Sequence, residues 1–103
     1  MKTALFNQIV SIVVEICEIS ENEICSLVKR ADVVDARTIF VFYCSKYGFS
    51  SADIAKFLHR KRQTFVRDCL ANHKRFSAQS ASFRLLSAEV GKKLSAIFAE
   101  TAR

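Results

Sequence analysis

The scarcity of residues that break regular backbone is the feature that most constrains this fold. The 103-residue chain has no proline and only two glycines, Gly48 and Gly91. Because proline interrupts helices and glycine marks turns, this composition favours long helices over a sheet with many turns. Half of the residues are hydrophobic, which argues against disorder. A chain of this length suits one core. We therefore predict one all-α domain over residues 1–103, a compact bundle of about six helices.

Hydrophobic periodicity and capping signals predict where the helices lie. The segment Ser20–Glu23 (S-E-N-E) matches a capping box, Asp32 is a candidate N-cap, and Ser50–Asp53 resembles a second capping box. Gly48 fits the C′ position after a helix, where glycine adopts a left-handed backbone most easily. The predicted helices cover residues 3–18, a short segment from Ser20, about 33–47, 51–58, 63–76 and 79–101.

The sequence does not indicate membrane insertion or secretion. Its apolar runs are shorter than the roughly 18 residues that a membrane span requires, and Glu15 and Glu18 interrupt the most hydrophobic run. Residues 1–19 lack the basic start and small-residue cleavage site of a secretory signal. We expect no membrane partner and a location in the bacterial cytoplasm or nucleoid.

The cysteines and histidines do not form a recognisable metal or catalytic motif. No CxxC pair occurs, and neither His59 nor His73 lies at zinc-ligand spacing from a cysteine or beside a nucleophile arrangement. We predict reduced structural cysteines, no metal, no cofactor, no small-molecule substrate, no catalytic residue and no enzymatic activity. The four cysteines are Cys17, Cys25, Cys44 and Cys69.

Positive charge is concentrated in one part of the chain. The net charge is +6 at pH 7, yet residues 1–28 contain one Lys against four Glu. Residues 56–75 contain seven Lys or Arg and a single acid, Asp68. This asymmetry indicates a polyanionic partner, and a solvated basic surface that aids solubility is the alternative.

Residues 51–75 have the pattern of a helix-turn-helix. Cations surround the turn and the second helix, where they would meet phosphates. His59 lies at a turn position that is often glycine, and histidine tolerates positive φ better than most other residues. The apolar face that would join the two helices consists of Ile54, Ala55, Leu58, Phe65, Val66, Cys69 and Leu70.

The order of these motifs resembles the C-terminal DNA-binding domain of the bacterial replication initiator DnaA. Val34–Thr38 is similar to the end of that family's basic loop, and Ser51–Leu58 (SADIAKFL) is similar to its S-x-x-E-I-G-x-x-F segment. Arg60–Val66 (RKRQTFV) lies where the family has G-R-D-H-T-T-V. Arg62 and Gln63 replace the family's Asp and His, so the resemblance implies the fold and the DNA-binding mode, not recognition of the replication-origin box. No ATPase domain accompanies the motif, which implies a stand-alone relative.

We predict that the helix of about residues 63–76 enters the major groove of double-stranded DNA. Gln63 would contact adenine and Thr64 would contact thymine, with simple helix capping as the alternative for both. Arg62 and Arg67 would read guanine or bind phosphate.

Further cations are predicted to bind the backbone or the adjacent minor groove. Phosphate contacts would fix affinity and its salt dependence without reading sequence. Arg30 and Arg37, with Lys29, resemble the family's basic loop, in which an arginine enters the minor groove; pairing with Asp32 or Asp35 is the alternative. The predicted phosphate contacts are Arg60, Lys61, Lys74 and Arg75.

These patterns favour a small DNA-binding protein that acts as a transcriptional regulator or as a replication factor of a phage or mobile element. A helical module for protein interaction or dimerisation is the alternative. In that alternative, the apolar first helix and the stripe over residues 83–97 would form the contact, and a homodimer is compatible with both hypotheses.

Overall fold

The computed structural model describes residues 2–101, with side chains from Ala4 to Ala99. Six α-helices and no strand occur in this part of the chain, so the predicted all-α fold is confirmed. The helices are α1 (Lys2–Cys17), α2 (Glu21–Ile24), α3 (Ala31–Lys46), α4 (Ser51–Phe57), α5 (Thr64–Gln79) and α6 (Ala81–Thr101).

Helix α3 is the central element of the bundle. Six consecutive residues, from Ala36 to Val41, are buried, although they point in every direction around the helix axis. A helix buried on all sides needs neighbours on all sides, and α1, α2, α4, α5 and α6 all pack against it. A periodic hydrophobic pattern describes a helix with one apolar face, which understates the burial of α3.

An aromatic cluster joins α1 to the region that precedes the helix-turn-helix. The ring of Phe6 stacks on Phe49, with 4.0 Å between centroids, and on Phe57, with 4.9 Å. Stacked aromatic pairs contribute roughly 0.5–1.5 kcal/mol beyond the area that they bury. Since Phe49 precedes α4 and Phe57 ends it, the cluster fixes α4 against the core.

The apolar faces of α1 and α6 lie inside the bundle. Phe83, Val90 and Leu94 on α6 are buried, as are Ile9 and Val13 on α1, and the two helices pack against each other. Most apolar side chains of the two surfaces predicted to mediate dimerisation therefore pack within the chain, and dimerisation through these helices stays a prediction.

Two of the three predicted helix starts are confirmed. Ser20 forms a complete capping box with Glu23, and the Ser50 hydroxyl accepts from the Asp53 N–H. Asp32 is not the N-cap of α3: Arg30 occupies that position, in extended backbone, and makes no side-chain cap. The Asp32 carboxylate instead accepts from the Arg30 Nε at 2.6 Å.

Three helices end at a left-handed residue, which satisfies their last carbonyls: Glu18, with φ 57°, follows α1, and α3 and α4 end similarly. After α3, Gly48 has φ 95°, and Phe49 N–H donates to Cys44 O. After α4, His59 has φ 58°, its N–H donates to Lys56 O, and Arg60 N–H donates to Ala55 O. The sequence predicted both positions. A non-glycine residue in this conformation costs about 1–2 kcal/mol, so the sharp turn after α4 is imposed by its surroundings.

Helix α6 approaches α3 closely at Gly91. A Cβ at this position would overlap the Tyr43 hydroxyl, which donates to Ser87 O at 2.7 Å. The absent side chain therefore makes room for a buried hydrogen bond between the two helices. None of the helices within residues 2–101 is both long and apolar enough to cross a membrane.

Candidate nucleic-acid interface

Helices α4 and α5 form a compact pair joined by the turn of residues 58–63. The predicted apolar face is largely confirmed, since Ile54, Ala55 and Leu58 on the α4 side are buried, as are Val66 and Cys69 on α5. The same face of α5 also packs on α3. Helix α5 is consequently held along one side, and its other side is free along its whole length.

The outward side of α5 is a mostly polar stripe that carries three cations and one acid. Its members recur at helical spacing and are all exposed, and the two residues of the turn that precede it, Lys61 and Arg62, are exposed as well. Ala71 lies in the middle of the stripe and carries no bulk that would keep another surface away. The exposed stripe consists of Thr64, Arg67, Asp68, Ala71, Lys74 and Arg75.

Four cations of this surface have no side-chain partner in the described part of the chain. Within residues 4–99, the side chains of Lys61, Arg62, Arg67 and Lys74 form no hydrogen bond or ion pair. Arg75 donates to the Asn72 side chain at 2.8 Å and remains exposed. Unpaired cations on one helix face attract a polyanion, and their hydration is the only interaction that binding must replace.

The start of α5 is open to an anion. No acidic residue lies in its first turn, and Gln63 occupies the N-cap in helical backbone without a side-chain hydrogen bond to the helix. Side-chain capping by Gln63 is therefore not observed, and Thr64 is the first helical residue, not the cap. Both side chains are exposed. The positive end of the helix dipole thus lies beside Lys61 and Arg62, although the Val66 N–H of the first turn already donates to Gln63 O.

Arg60 is not one of these free cations. Its Nη2 donates to Ser26 O at 2.8 Å, and its guanidinium carbon lies 4.4 Å from the centroid of the Phe65 ring. Its Nε is buried without a partner in the described part of the chain. The phosphate contact predicted for Arg60 does not match this inward orientation.

Arg37 is buried and does not lie on the predicted surface. Only 6% of the residue is exposed, because its guanidinium donates to four backbone carbonyls at 2.8–3.0 Å. Burial lowers the pKa of Arg37, and the neighbouring Arg60 lowers it further. The minor-groove contact predicted for Arg37 is wrong, since its side chain holds the loop between α2 and α3. The four acceptors are the carbonyls of Glu23, Ile24, Ser26 and Val28.

Arg30 is exposed but paired. Its guanidinium binds Glu23 at 2.8 Å and Asp32 at 2.6 Å, and the hydrogen bond to Asp32 is the main cause of its raised pKa. The predicted alternative is therefore right for Asp32. It is not right for Asp35, whose pKa is raised by burial and then by Asp32. Exposed pairs of this kind are weak, so Arg30 can still exchange its partners for a phosphate.

The cysteines and the buried histidine have structural environments. Burial raises the pKa of Cys17 and of Cys69 to about 11, which keeps both as thiols at neutral pH. His73 stacks on Phe42, with 3.7 Å between centroids, and its Nε2 lies 2.8 Å from the Ser87 hydroxyl. No group of three or more His, Cys, Asp or Glu residues that could hold a metal occurs among the described residues.

Sequence reasoning missed two contributors to this surface. Phe65 was assigned to the core, yet its ring also carries the Arg60 guanidinium. The Ser26 carbonyl was not considered, although it accepts from Arg37 and from Arg60. Neither contact follows a local spacing rule, and a basic residue five positions before an aromatic one is too common a pattern to identify the pair.

Comparison with known proteins does not add a family to this description. No protein-family model matches the chain, and a search of the curated proteins finds no match.

Proposed function

We propose that this protein binds double-stranded DNA through α4 and α5, with α5 in the major groove. The observation that carries the proposal is the exposed face of α5, on which the side chains of Arg67 and Lys74 have no partner within the described chain. An α-helix fits the width of the major groove, and the first turn of the second helix makes the base contacts in a helix-turn-helix.

The side chains of this surface divide into two roles. Gln63 and Thr64, at the open start of α5, are placed for base edges: a Gln side chain matches adenine, and Thr offers a hydroxyl and a methyl group. Lys61, Lys74 and Arg75 flank them and would neutralise phosphates. Arg62 and Arg67 reach either guanine or phosphate.

Ala71 would allow α5 to approach the floor of the major groove closely. It lies between Arg67 and Lys74 on the exposed stripe, about two turns after Thr64, the first residue of the helix. A small residue at this point lets the helix axis come close to the groove floor, while the longer cations on either side reach the strands. A bulky residue there would hold the first turn away from the bases.

The biological role that we propose is transcriptional regulation or replication of a phage or mobile element, in the bacterial cytoplasm or nucleoid. The resemblance of Ser51–Leu58 and Arg60–Val66 to the DnaA C-terminal domain supports this role. The replaced residues Arg62 and Gln63 would give a DNA site different from the origin box.

The test is duplex binding by wild type and by the double variant Lys61→Gln/Arg62→Gln. Wild type is titrated with random-sequence duplex across a salt series, followed by selection of the bound sequences. We expect affinity to fall steeply with salt and a motif to be enriched, whereas the double variant should lose about 1.8 from the slope of log K against log salt.

The matched control is Lys92→Gln/Lys93→Gln, which removes the same charge from α6, where Glu15 binds Lys93 at 2.8 Å. It should leave the slope unchanged. Absence of binding by wild type at low salt would reject the proposal, and equal losses in both double variants would reduce the interaction to general charge attraction.

A further inference from the structure

Arg60 connects three separate segments. Its backbone N–H donates to Ala55 O at the end of α4, its Nη2 donates to Ser26 O in the loop before α3, and its guanidinium covers the Phe65 ring in the first turn of α5. A residue with these contacts fixes where α5 begins relative to the rest of the molecule.

The acceptor of Arg60 is itself held in place. Ser26 O also accepts from the Arg37 Nη2 at 2.9 Å, and the Ser26 hydroxyl binds Glu23 O and Val28 N–H. Since Arg37 belongs to the central helix α3, the chain of contacts runs from the core through Ser26 and Arg60 to Phe65. The start of α5 is thereby tied to the core from a second side, in addition to its apolar face.

The contact requires the planar guanidinium. One group stacks on the Phe65 ring and donates through its edge to a carbonyl 34 residues away in sequence. The ammonium group of lysine has the same charge but offers neither a flat face nor a fixed fork of donors. Replacing Arg60 by lysine therefore removes the geometry and keeps the charge.

We propose that Arg60 is a positioning residue that sets the orientation of the first turn of α5 and so determines sequence specificity, not phosphate affinity. This inference rests on the proposed DNA-binding function. It assigns Arg60 a role that is different from that of its neighbours Lys61 and Arg62, which face the solvent. A loosened first turn would still attract phosphates, but it would no longer hold Gln63 and Thr64 against base edges.

The experiment compares Arg60→Lys with Lys61→Gln on the selected duplex and on random duplex, across a salt series. For Arg60→Lys we expect the ratio of specific to random affinity to fall about tenfold, the loss of roughly one good base contact, with an unchanged salt slope. For Lys61→Gln we expect equal losses on both duplexes and a slope reduced by about 0.9. Phe65→Leu, which keeps an apolar side chain and removes the ring, should reproduce Arg60→Lys.

Amide hydrogen exchange of the free protein supplies a readout that does not depend on DNA. The Val66 N–H, which donates to Gln63 O at 2.9 Å, should exchange faster in Arg60→Lys, whereas the Val41 amide in buried α3 should not change. The Val41 amide thus separates local loosening from global destabilisation.

Two results would overturn the inference: an unchanged specificity ratio in Arg60→Lys, or an unchanged Val66 exchange rate. If wild type does not bind duplex at all, the proposed function fails, and the exchange rates alone still decide whether Arg60 holds the first turn of α5.

Discussion

Two inward arginines, Arg37 and Arg60, differ in environment from the cations on the outer side of the turn and of α5, although all of them are basic residues. Arg37 and Arg60 point into the molecule and donate to backbone carbonyls, whereas Lys61, Arg62 and Arg67 are exposed and have no side-chain partner within residues 4–99. Arg60 and Lys61 are adjacent in the chain, so the change from structural to available cation occurs within one residue. Local charge density therefore locates a basic region but does not distinguish the residues that build it from those that can bind.

The difference arises from the acceptors that each region offers. The end of α2 and the loop that follows it turn four carbonyls toward Arg37, and an unpaired buried carbonyl costs roughly 1–3 kcal/mol. The outward side of α5 offers no such acceptors, because its carbonyls are used within the helix. An arginine side chain therefore points inward where backbone carbonyls lack another hydrogen-bond donor. Cations stay exposed where the backbone carbonyls already accept hydrogen bonds within a helix.

The largest expected effect is on the inward side, for Arg37→Met. This change leaves Ile24 O and Val28 O without the donor that they have in the wild type, and we expect the free energy of unfolding to fall by about 3 kcal/mol. Arg67→Met is the outward control and should change stability by no more than about 0.5 kcal/mol. Urea denaturation followed by circular dichroism measures both, and a loss below about 1 kcal/mol for Arg37→Met would show that this arginine is not a structural requirement.

The next effect is on the outward side, for Arg67→Gln/Lys74→Gln. We expect stability to remain within about 0.5 kcal/mol of wild type and the salt slope of DNA binding to fall by about 1.8. The slope comes from fluorescence anisotropy at four or more salt concentrations. If the variant binds DNA with the wild-type affinity and salt slope, Arg67 and Lys74 do not contact phosphates. The exposure of these two cations would then not be related to DNA binding.

The buried histidine extends the comparison to pH. Burial lowers the pKa of His73. Below a pH of about 6.5, the ordinary pKa of histidine, this residue is therefore protonated in the unfolded chain while it is still neutral in the folded chain. Stability from this group is complete above that pH and decreases as the pH falls toward the folded-state pKa. Thermal denaturation between pH 7.5 and about 5 should show this loss in wild type, and His73→Gln should show a flatter profile. The same slope in both proteins would assign the pH dependence to other groups.

The smallest effect is expected for Arg30→Gln, which tests the intermediate case. Both ion pairs of Arg30 lie at the surface, so their loss should lower the free energy of unfolding only slightly at low salt, and by still less at 1 M NaCl. Chemical denaturation at the two salt concentrations gives the difference. A loss near that of Arg37→Met would place Arg30 with the structural arginines.

The sequence predicted those parts of the fold that depend on local rules. The capping box at Ser20, the left-handed positions Gly48 and His59, and the apolar faces of α4 and α5 all follow from residues within a few positions of each other. The helix boundaries were close but shifted, because Arg30 rather than Asp32 caps α3. Local capping preference favours Asp32, whose carboxylate instead accepts from the Arg30 Nε and the Val33 N–H.

The sequence did not predict which basic residues are structural. The bond from Arg60 to Ser26 spans 34 residues, and that from Arg37 to Ile24 spans 13. Such contacts depend on how α2, α3 and the turn pack together, which no spacing within one helix reports. The burial of α3 on all sides was not predicted for the same reason. Five neighbouring helices cover α3, whereas hydrophobic periodicity indicates only one buried face.

The two tyrosines give this protein an intrinsic optical signal for one half of its core. The chain has no tryptophan, so its near-ultraviolet emission comes from Tyr43 and Tyr47, both on or at the end of α3. Tyr43 is bonded to Ser87 O, and Tyr47 lies 4.5 Å from the Phe98 ring, so both residues contact α6. Tyrosine fluorescence will therefore report the separation of α3 from α6, whereas a local opening of the turn before α5 will leave the fluorescence unchanged.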